Sequence, residues 1–209
     1  MKKLLLILLC VPLMFSCGEN NDEKVQKEEI ENDLTRANIK GKVKEIIETT
    51  FSAKESFGEP QKGDLRTKDI SKYNEDGNRT EETSYNADGE LARKYKDQYD
   101  EDGNRTEVTF YNADGELGGK HKYQYDEDGN KTEENVYNAD GELGGKYKYQ
   151  YDEDGNMTEE TGYNADGEID WKYKYQYDEF DNLKNWIVRT LYGDDILESI
   201  IEREIEYYE

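Results

Sequence analysis

Hydrophobic positions are grouped at the start of the chain and thereafter lie singly among polar ones. Leu4 to Phe15 is apolar apart from Cys10 and follows a pair of lysines. Such a segment is typical of a secretion signal, because its apolar core is too short to span a bilayer. From residue 41 onwards, threonine, tyrosine and valine are common in short segments between glycine-containing turns. This pattern predicts β-strands.

These segments recur with a period of 26 residues, and two phrases, YDEDGN and YNADGE, define the repeat. Repetition at this scale is typical of an array in which each unit is stable only against its neighbours. YDEDGN or a variant of it begins at Tyr73, Tyr99, Tyr125, Tyr151 and Tyr177, and YNADGE begins at Tyr85, Tyr111, Tyr137 and Tyr163.

Each phrase carries a turn signal. In the YNADGE phrase, Asn112 suits the first position of a type I turn and Gly115 the left-handed position that ends it. Together they predict a hairpin loop made of a type I turn and a glycine bulge. Asp126 and Gly129 have the same relation, so we expect Gly129 to adopt a positive φ. The segments between turns are about 8 to 10 residues long, as strands are.

The sheet is expected to extend beyond the clear repeats. Two opening strands are predicted from Gly41 and from Leu65, and a more apolar closing hairpin follows Asn182. The expected fold is all-β, an antiparallel meander of about 12 strands that curls as a single sheet. The predicted organisation is a signal peptide at 1–16, a polar and partly helical tether at 17–40, and a β-repeat domain at 41–209.

The even period and the three-residue loops predict that all odd-numbered positions share one face of the sheet. Of the 18 tyrosines only Tyr192 and Tyr208 are even-numbered, whereas lysines such as Lys122 and Lys148 are even. One face should therefore be aromatic and the other charged. Aromatic rings can pack as a core or stack on sugars, and both readings stay open. The candidate binding residues are Tyr95, Tyr123, Tyr149, Tyr175 and Trp171.

The run YQYDEDGN, followed by YNADGE and then YKYQYDEDGN, resembles the YD repeats of the RHS family. The resemblance covers roughly Tyr73 to Asn182 and rests on the Tyr-Asp and glycine positions. Repeats of that family build spiralling β-sheet shells in bacterial export toxins and in animal adhesion proteins. The resemblance implies a short stand-alone array, shell-like or solenoid-like, and brings no catalytic residue with it.

The phrase LMFSC, which ends at Cys17, resembles the lipobox of bacterial lipoproteins, whose cysteine is acylated and becomes the mature N-terminus. Ser16 suits the small position before the cysteine, whereas Met14 and Phe15 depart from the strictest pattern. The resemblance implies palmitoylation of Cys17, a lipid bilayer as partner, and a place at the outer membrane, periplasmic or surface-exposed. Ordinary secretion is the alternative. After cleavage Cys17 would be the only cysteine, which leaves no intrachain disulfide.

The amino-acid composition argues against one class of partner, nucleic acids. The chain is 33% hydrophobic and 38% charged, with a formal net charge of −23. Such values are typical of disorder, but a tyrosine can bury its ring while its hydroxyl stays hydrated. Phosphate neutralisation needs clustered lysine and arginine, so the sequence argues against nucleic acid as a partner.

Catalytic and metal sites are not predicted. His121, the only histidine, occupies the repeat position of Tyr95 and Tyr147, so one ring replaces another. Without a second histidine or a reactive cysteine, the usual acyl-transfer and zinc sites cannot be assembled. The DEDGN turns resemble the start of a calcium loop but lack well-placed later ligands. Turn chemistry explains them, and diffuse divalent binding along the acidic edges is favoured over ordered calcium. No cofactor is expected.

These observations favour a non-enzymatic, lipid-anchored protein of the cell envelope. Its β-array would provide a binding or structural surface, with carbohydrate or an envelope protein as partner. The alternative is an immunity or antitoxin-like protein that protects against a toxin.

Overall fold

The computed structural model describes residues 32–100, 105–126 and 129–209, which contain one short helix and 12 β-strands. Within these ranges no helix is long and apolar enough to cross a bilayer. The helix, α1, spans Asp33–Arg36. The strands are β1 Val43–Ser56, β2 Glu59–Tyr73, β3 Arg79–Asn86, β4 Leu91–Tyr99, β5 Arg105–Asn112, β6 Leu117–Tyr125, β7 Lys131–Asn138, β8 Leu143–Tyr151, β9 Met157–Asn164, β10 Ile169–Phe180, β11 Trp186–Gly193 and β12 Ile196–Tyr207.

The sheet closes on itself. Each strand pairs antiparallel with the next along the chain, and β1 also pairs with β12, from Glu45 opposite Glu206 to Ser52 opposite Ser199. The all-β class and the antiparallel order are as predicted, but the open, curled, shell-like or solenoid-like sheet is wrong. The structure is a closed barrel of 12 strands. Closure satisfies the backbone N–H and C=O groups that the edges of an open sheet would leave unpaired.

The repeat turns have the predicted geometry. The Asn112 N–H donates to the Glu116 carbonyl at 2.9 Å, and the Gly115 N–H donates to the Asn112 carbonyl at 3.0 Å. The Asn112 side chain accepts from the Asp114 and Glu116 N–H groups at 3.0 and 2.9 Å. Gly129 has φ +82°, which confirms the expected positive value. Asparagine and glycine are therefore the residues that this loop requires.

A second irregularity decides which residues share a face. Beyond the pair Tyr111 and Leu117 the register shifts by one, so Val108 lies opposite His121. An equivalent shift occurs in every hairpin from β2 to β10. Over most of their length, inward positions are therefore odd on β4, β6, β8 and β10 and even on β5, β7 and β9. The prediction of one odd-numbered face is wrong, because each bulge adds a residue that loop length does not count.

The repeat tyrosines consequently divide between the two faces. Those of the YNADGE phrase lie outside, each opposite a lysine: Tyr137, for example, pairs with Lys120. The Lys122 ammonium lies 5.7 Å from the centroid of the Tyr137 ring. Ion pairs such as Lys146 with Glu133, 3.0 Å apart, occupy the same face. The outer surface therefore combines cation–π and ionic contacts, whereas the tyrosines of β4, β6, β8 and β10 point inwards.

Residues 32–40, here called the plug, cross one mouth of the barrel. The Leu34 N–H donates to the Gly77 carbonyl at 3.2 Å, and the Asn38 amide donates to the Asp154 carbonyl at 2.9 Å. The Lys40 N–H donates to the Asn185 side chain at 2.7 Å. These three acceptors belong to the turns β2–β3, β8–β9 and β10–β11, so the plug is fixed at several points around one rim.

Apolar packing holds the plug in place. Leu34 and Ile39 are buried together with Val43 and Ile46 of β1, and Tyr73, Ile205 and Tyr207 pack around them. The predicted tether at 17–40 is therefore too long, because 32–40 belong to the compact unit that spans Glu31–Glu209. The sequence did not predict this packing, because residues 32–40 are mostly polar and only two of them, Leu34 and Ile39, belong to the core. The predicted signal peptide, Cys17 and the rest of the tether lie outside the described residues.

Candidate ligand-binding cavity

The interior of the barrel is polar and is organised by the repeat. The residue after each DGN phrase lies inside, near the plug, and its carbonyl accepts a hydrogen bond from the tyrosine hydroxyl 20 residues later. The four O···O distances are 3.1, 3.1, 2.9 and 2.7 Å. Cations fill this position in three repeats and a thioether in the fourth; the residues are Arg79, Arg105, Lys131 and Met157.

Interior carboxylates offset several of these cations. Arg79 donates two hydrogen bonds to Asp97, from Nε to Oδ2 at 3.1 Å and from Nη2 to Oδ1 at 2.7 Å. On the paired strands β1 and β12, Arg203 Nε donates to Glu48 Oε1 at 3.0 Å. Burial alone would raise the pKa of Glu48, but the charges of Arg203 and Arg189 outweigh it and hold the pKa below its ordinary value. Glu48 is therefore ionised inside the barrel.

Glu134 is the centre of a second network. It accepts hydrogen bonds from Lys131 Nζ at 2.8 Å, from the Tyr149 hydroxyl at 2.6 Å and from His121 Nδ1. Burial opposes ionisation, yet Lys131 and these donors lower the pKa of Glu134 well below its usual range. The His121 ring also packs edge-on against Phe110, with centroids 5.4 Å apart. His121 thus lies where the repeat places tyrosine rings and serves as a donor to Glu134.

The predicted aromatic binding residues all point into the barrel. The Tyr175 hydroxyl donates to Glu160 at 2.6 Å, as Tyr149 does to Glu134. Tyr123 is half-buried beneath the Arg105 guanidinium, 4.9 Å from its ring centroid. Trp171 packs on Tyr147 and Tyr173 with centroid distances of 5.1 and 4.6 Å. Tyr95 lies opposite Glu82. These five side chains therefore line the interior of the barrel and do not form an exposed aromatic face.

Beneath the plug lies a cavity of about 360 Å³, here called the large cavity. Among the described residues, nine strands contribute side chains to its wall, and the plug contributes Asp33, Arg36, Ala37 and Asn38. The Asp33 carboxylate is fixed by the Arg79 N–H and the Tyr99 hydroxyl, each at 2.7 Å. The remaining side chains in the wall are Glu48, Arg105, Tyr125, Lys131, Tyr151, Asn156, Met157, Tyr177, Trp186, Arg189 and Arg203.

Two arginines of this wall keep unused donors. Within the part of the chain that the structure describes, the buried Nε atoms of Arg105 and Arg189 have no hydrogen-bond partner. The nearest carboxylates are at 3.6 Å, from Arg105 Nη1 to Asp97, and at 4.0 Å, from Arg189 Nη2 to Glu48. Both carboxylates are held more closely by other arginines. The two guanidiniums are therefore only partly compensated.

Aromatic rings hold both guanidiniums in place. The Arg189 guanidinium carbon lies 4.7 Å from the Tyr175 centroid and 4.2 Å from the Trp186 centroid. Arg105 rests on Tyr123 in the same way. Stacking of this kind fixes the plane of a guanidinium and leaves its edge donors available.

A small cavity of about 190 Å³ adjoins the large one and has a different character. Its wall includes Asp69, Glu82 and Arg79. Burial raises the pKa of both Asp69 and Glu82. The small cavity thus has acids and arginines in nearly equal number, whereas arginine dominates the large cavity.

Sequence reasoning missed the inward cations. The repeat position after DGN carries a visible signal, since arginine or lysine follows three of the phrases. Arg189 and Arg203 have no such signal in the sequence, because they lie on the closing strands β11 and β12, outside the repeat. Among residues 32–100, 105–126 and 129–209, no group of three or more histidine, cysteine, aspartate or glutamate side chains is placed to hold a metal ion.

Comparison with known proteins gives a limited result. No protein-family model and no curated protein matches the chain. Among solved structures, a porin-like protein from Bacteroides uniformis is 15% identical with a TM-score of 0.41, and the match covers 75% of this chain and 58% of that one. A DUF1329 family protein from Desulfovibrio piger is 12% identical with a TM-score of 0.38, covering 79% and 86%.

A third similar chain is a domain described as an outer membrane lipoprotein-sorting protein, from Vibrio parahaemolyticus. It is 10% identical with a TM-score of 0.38, and the match covers 78% of this chain and 86% of that one. At scores this low the similarities carry no argument about function. The functional reasoning therefore depends on the site itself.

Proposed function

We propose that this protein is a non-enzymatic, lipid-anchored binding protein of the bacterial cell envelope, and that its ligand occupies the large cavity. One observation carries the proposal: closure of the barrel leaves a partly open cavity of about 360 Å³ that its own side chains do not fill. Small-molecule sites in proteins are typically about 300 to 1,000 Å³. Polar groups converge there from the plug and from most of the barrel, as they do in binding sites.

The position of the plug supports anchoring at the same end of the domain. In an acylated protein the lipid on Cys17 would be joined to Asn32, the first residue of the plug, by 14 intervening residues (18–31). The large cavity lies directly beneath that plug.

The composition of the wall supports binding over catalysis. Its arginines are stacked on rings, and its acids are engaged by arginine, tyrosine and backbone donors. Among the described residues, the wall includes no cysteine or histidine, and the hydroxyls of its tyrosines are engaged as donors to carbonyls. Such groups can position a ligand, but none is arranged as a nucleophile beside a base.

Metabolic labelling tests the anchor. A palmitate analogue should label the protein in cells, and Cys17→Ala should abolish the label. Cys10→Ala is the matched control, because Cys10 lies within the predicted signal and should leave labelling intact. Label that survives Cys17→Ala would contradict the lipoprotein assignment.

Native mass spectrometry tests the binding. The full chain, extracted from cells in a neutral detergent, should carry a small molecule that is lost on denaturation. A protein that is always free of such a molecule, and that takes up none from an envelope extract, would contradict the binding function.

A further inference from the structure

The charges of the large cavity indicate what kind of ligand it takes, provided that the proposed binding function holds. The whole chain carries a formal net charge of −23. Among the described residues that form the wall, however, five are cationic and two are acidic, an excess of three cations. The cations are Arg36, Arg105, Lys131, Arg189 and Arg203, and the acids are Asp33 and Glu48. Such a local excess is unfavourable unless anions offset it, and the nearby carboxylates of Glu134 and Asp97 offset part of it, at 2.8 Å from Lys131 and 3.6 Å from Arg105.

Three of these cations already have close partners. Lys131 lies 2.8 Å from Glu134, Arg203 is bonded to Glu48 at 3.0 Å, and Arg36 lies over the Tyr125 ring, 5.7 Å from its centroid. Arg105 and Arg189 differ, because their terminal nitrogens lie 3.6 Å from Asp97 and 4.0 Å from Glu48, and both of these carboxylates are held more closely by other arginines. An anion in the cavity would pair with these terminal nitrogens.

Part of the wall is apolar. Met157 follows its DGN phrase at the position that Arg79, Arg105 and Lys131 occupy after the other three DGN phrases. The fourth DGN phrase therefore lacks the cation. Trp186 lies on the same cavity, and its ring already packs on Tyr177 with centroids 6.1 Å apart. A thioether beside aromatic rings forms a surface suited to a flat apolar group.

We propose that the large cavity binds a small organic anion, a carboxylate or phosphate ester with a flat apolar body. Arg105 and Arg189 recognise the anionic group, and Met157 and Trp186 contact the body. Arginine suits this role because its planar fork matches carboxylate and phosphate oxygens.

Isothermal titration of the full chain in neutral detergent tests the proposal. The probes are phenyl phosphate and benzoate, with benzamide as a neutral analogue and inorganic phosphate as an anion without a body. We expect at least one of the two aromatic anions to bind roughly tenfold more tightly than benzamide and inorganic phosphate, because hydrogen bonds to charged groups and apolar burial each contribute about that factor. The better of phenyl phosphate and benzoate identifies the head group.

Matched variants locate the site. Arg105→Gln and Arg189→Gln should each weaken binding of that anion roughly tenfold or more. Arg93→Gln is the control, because its guanidinium lies over Phe110, 5.4 Å from the centroid, and not on the cavity. If circular dichroism shows that a glutamine variant is unfolded, Arg189→Lys replaces it. This variant keeps the charge but not the fork, and should still weaken binding several-fold.

The outcomes separate the two proposals. The anion assignment would be overturned if benzamide bound as tightly as the two aromatic anions. It would also be overturned if Arg93→Gln weakened anion binding as much as Arg105→Gln and Arg189→Gln do. If no probe binds while native mass spectrometry still detects a neutral co-purified molecule, the anion inference fails and the binding function stands. If neither method detects a ligand in a folded, acylated protein, the binding function fails as well.

Discussion

At the scale of single residues, the repeat turns depend on glycine at positive φ. Gly141 has φ +82°, and a Cβ added there would have no atom within 4 Å, so replacement strains only the backbone. Gly141→Ala should destabilise the protein by about 1 kcal/mol. Urea unfolding followed by circular dichroism measures the change.

Two control variants share this hairpin. Gly144 lies on β8 outside the positive-φ range, and an added Cβ would meet only the Val136 carbonyl at 3.7 Å. Gly144→Ala should therefore be neutral or stabilising. Ala139→Pro, at the second turn position, should be tolerated or stabilising because proline favours that position. If either control lowers the free energy of unfolding as much as Gly141→Ala does, the assigned turn type is wrong.

Tyr149 and Lys148 test the assignment of faces. Tyr149 points inwards, where its hydroxyl bonds Glu134 at 2.6 Å and the Lys131 ammonium lies 4.1 Å from its ring centroid. Lys148 points outwards and is exposed. Tyr149→Ala should cost about 3 kcal/mol or more, and Lys148→Ala a few tenths, roughly 0.5 kcal/mol at most. Chemical denaturation of both variants measures the difference. Similar losses would mean that β8 has no inward face.

At the scale of elements, the plug is attached by its apolar side chains and by backbone hydrogen bonds. Leu34 is 4% exposed. Leu34→Ala should destabilise by about 2 to 4 kcal/mol and should speed cleavage by a protease within the plug. Lys40→Ala is the control, because the Lys40 side chain is exposed and only its backbone groups bond Asn185. Limited proteolysis with equal rates for both variants would show that the plug does not seal the mouth.

At the scale of the whole molecule, the buried tyrosines make the barrel sensitive to alkali. Burial raises the pKa of Tyr73 to about 12, and burial with a hydrogen bond to Asp181 raises the pKa of Tyr207 to about 12. An unfolded tyrosine ionises at a pKa of about 10. The stabilisation is therefore complete below pH 10 and is lost as the pH rises towards 12.

Absorbance at 295 nm, which reports tyrosinate, should rise in two phases. The second phase should coincide with loss of the far-ultraviolet circular dichroism signal, because these tyrosines ionise only as the barrel opens. A Tyr73→Phe variant, which cannot ionise at this position, should unfold at a higher pH. A single phase near pH 10 without unfolding would contradict the interior placement.

The sequence by itself determined the local features of this protein. Turn type, the length of the repeat strands β3 to β9 and the positive φ of Gly129 follow from a few adjacent residues, because asparagine, aspartate and glycine favour one loop wherever they occur together. The opening strands β1 and β2 are longer than predicted, with 14 and 15 residues. The alternation of inward and outward side chains within a single strand also follows from the sequence, and it places Tyr149 and Lys148 on opposite faces, as the structure does. The predicted acylation of Cys17 is likewise a local motif, and it remains a prediction.

The tertiary structure decided what depends on distant residues. Closure requires β1 to pair with β12, and no local pattern in either strand specifies that partner. The faces depend on register, which each bulge shifts by one residue, so an error at one hairpin reverses the next strand. The large cavity combines a cation of the repeat, Arg105, with Arg189 of the closing strands and Asp33 of the plug. Only the closed fold brings them together, because these three residues lie far apart along the chain and on segments that meet only when the sheet closes.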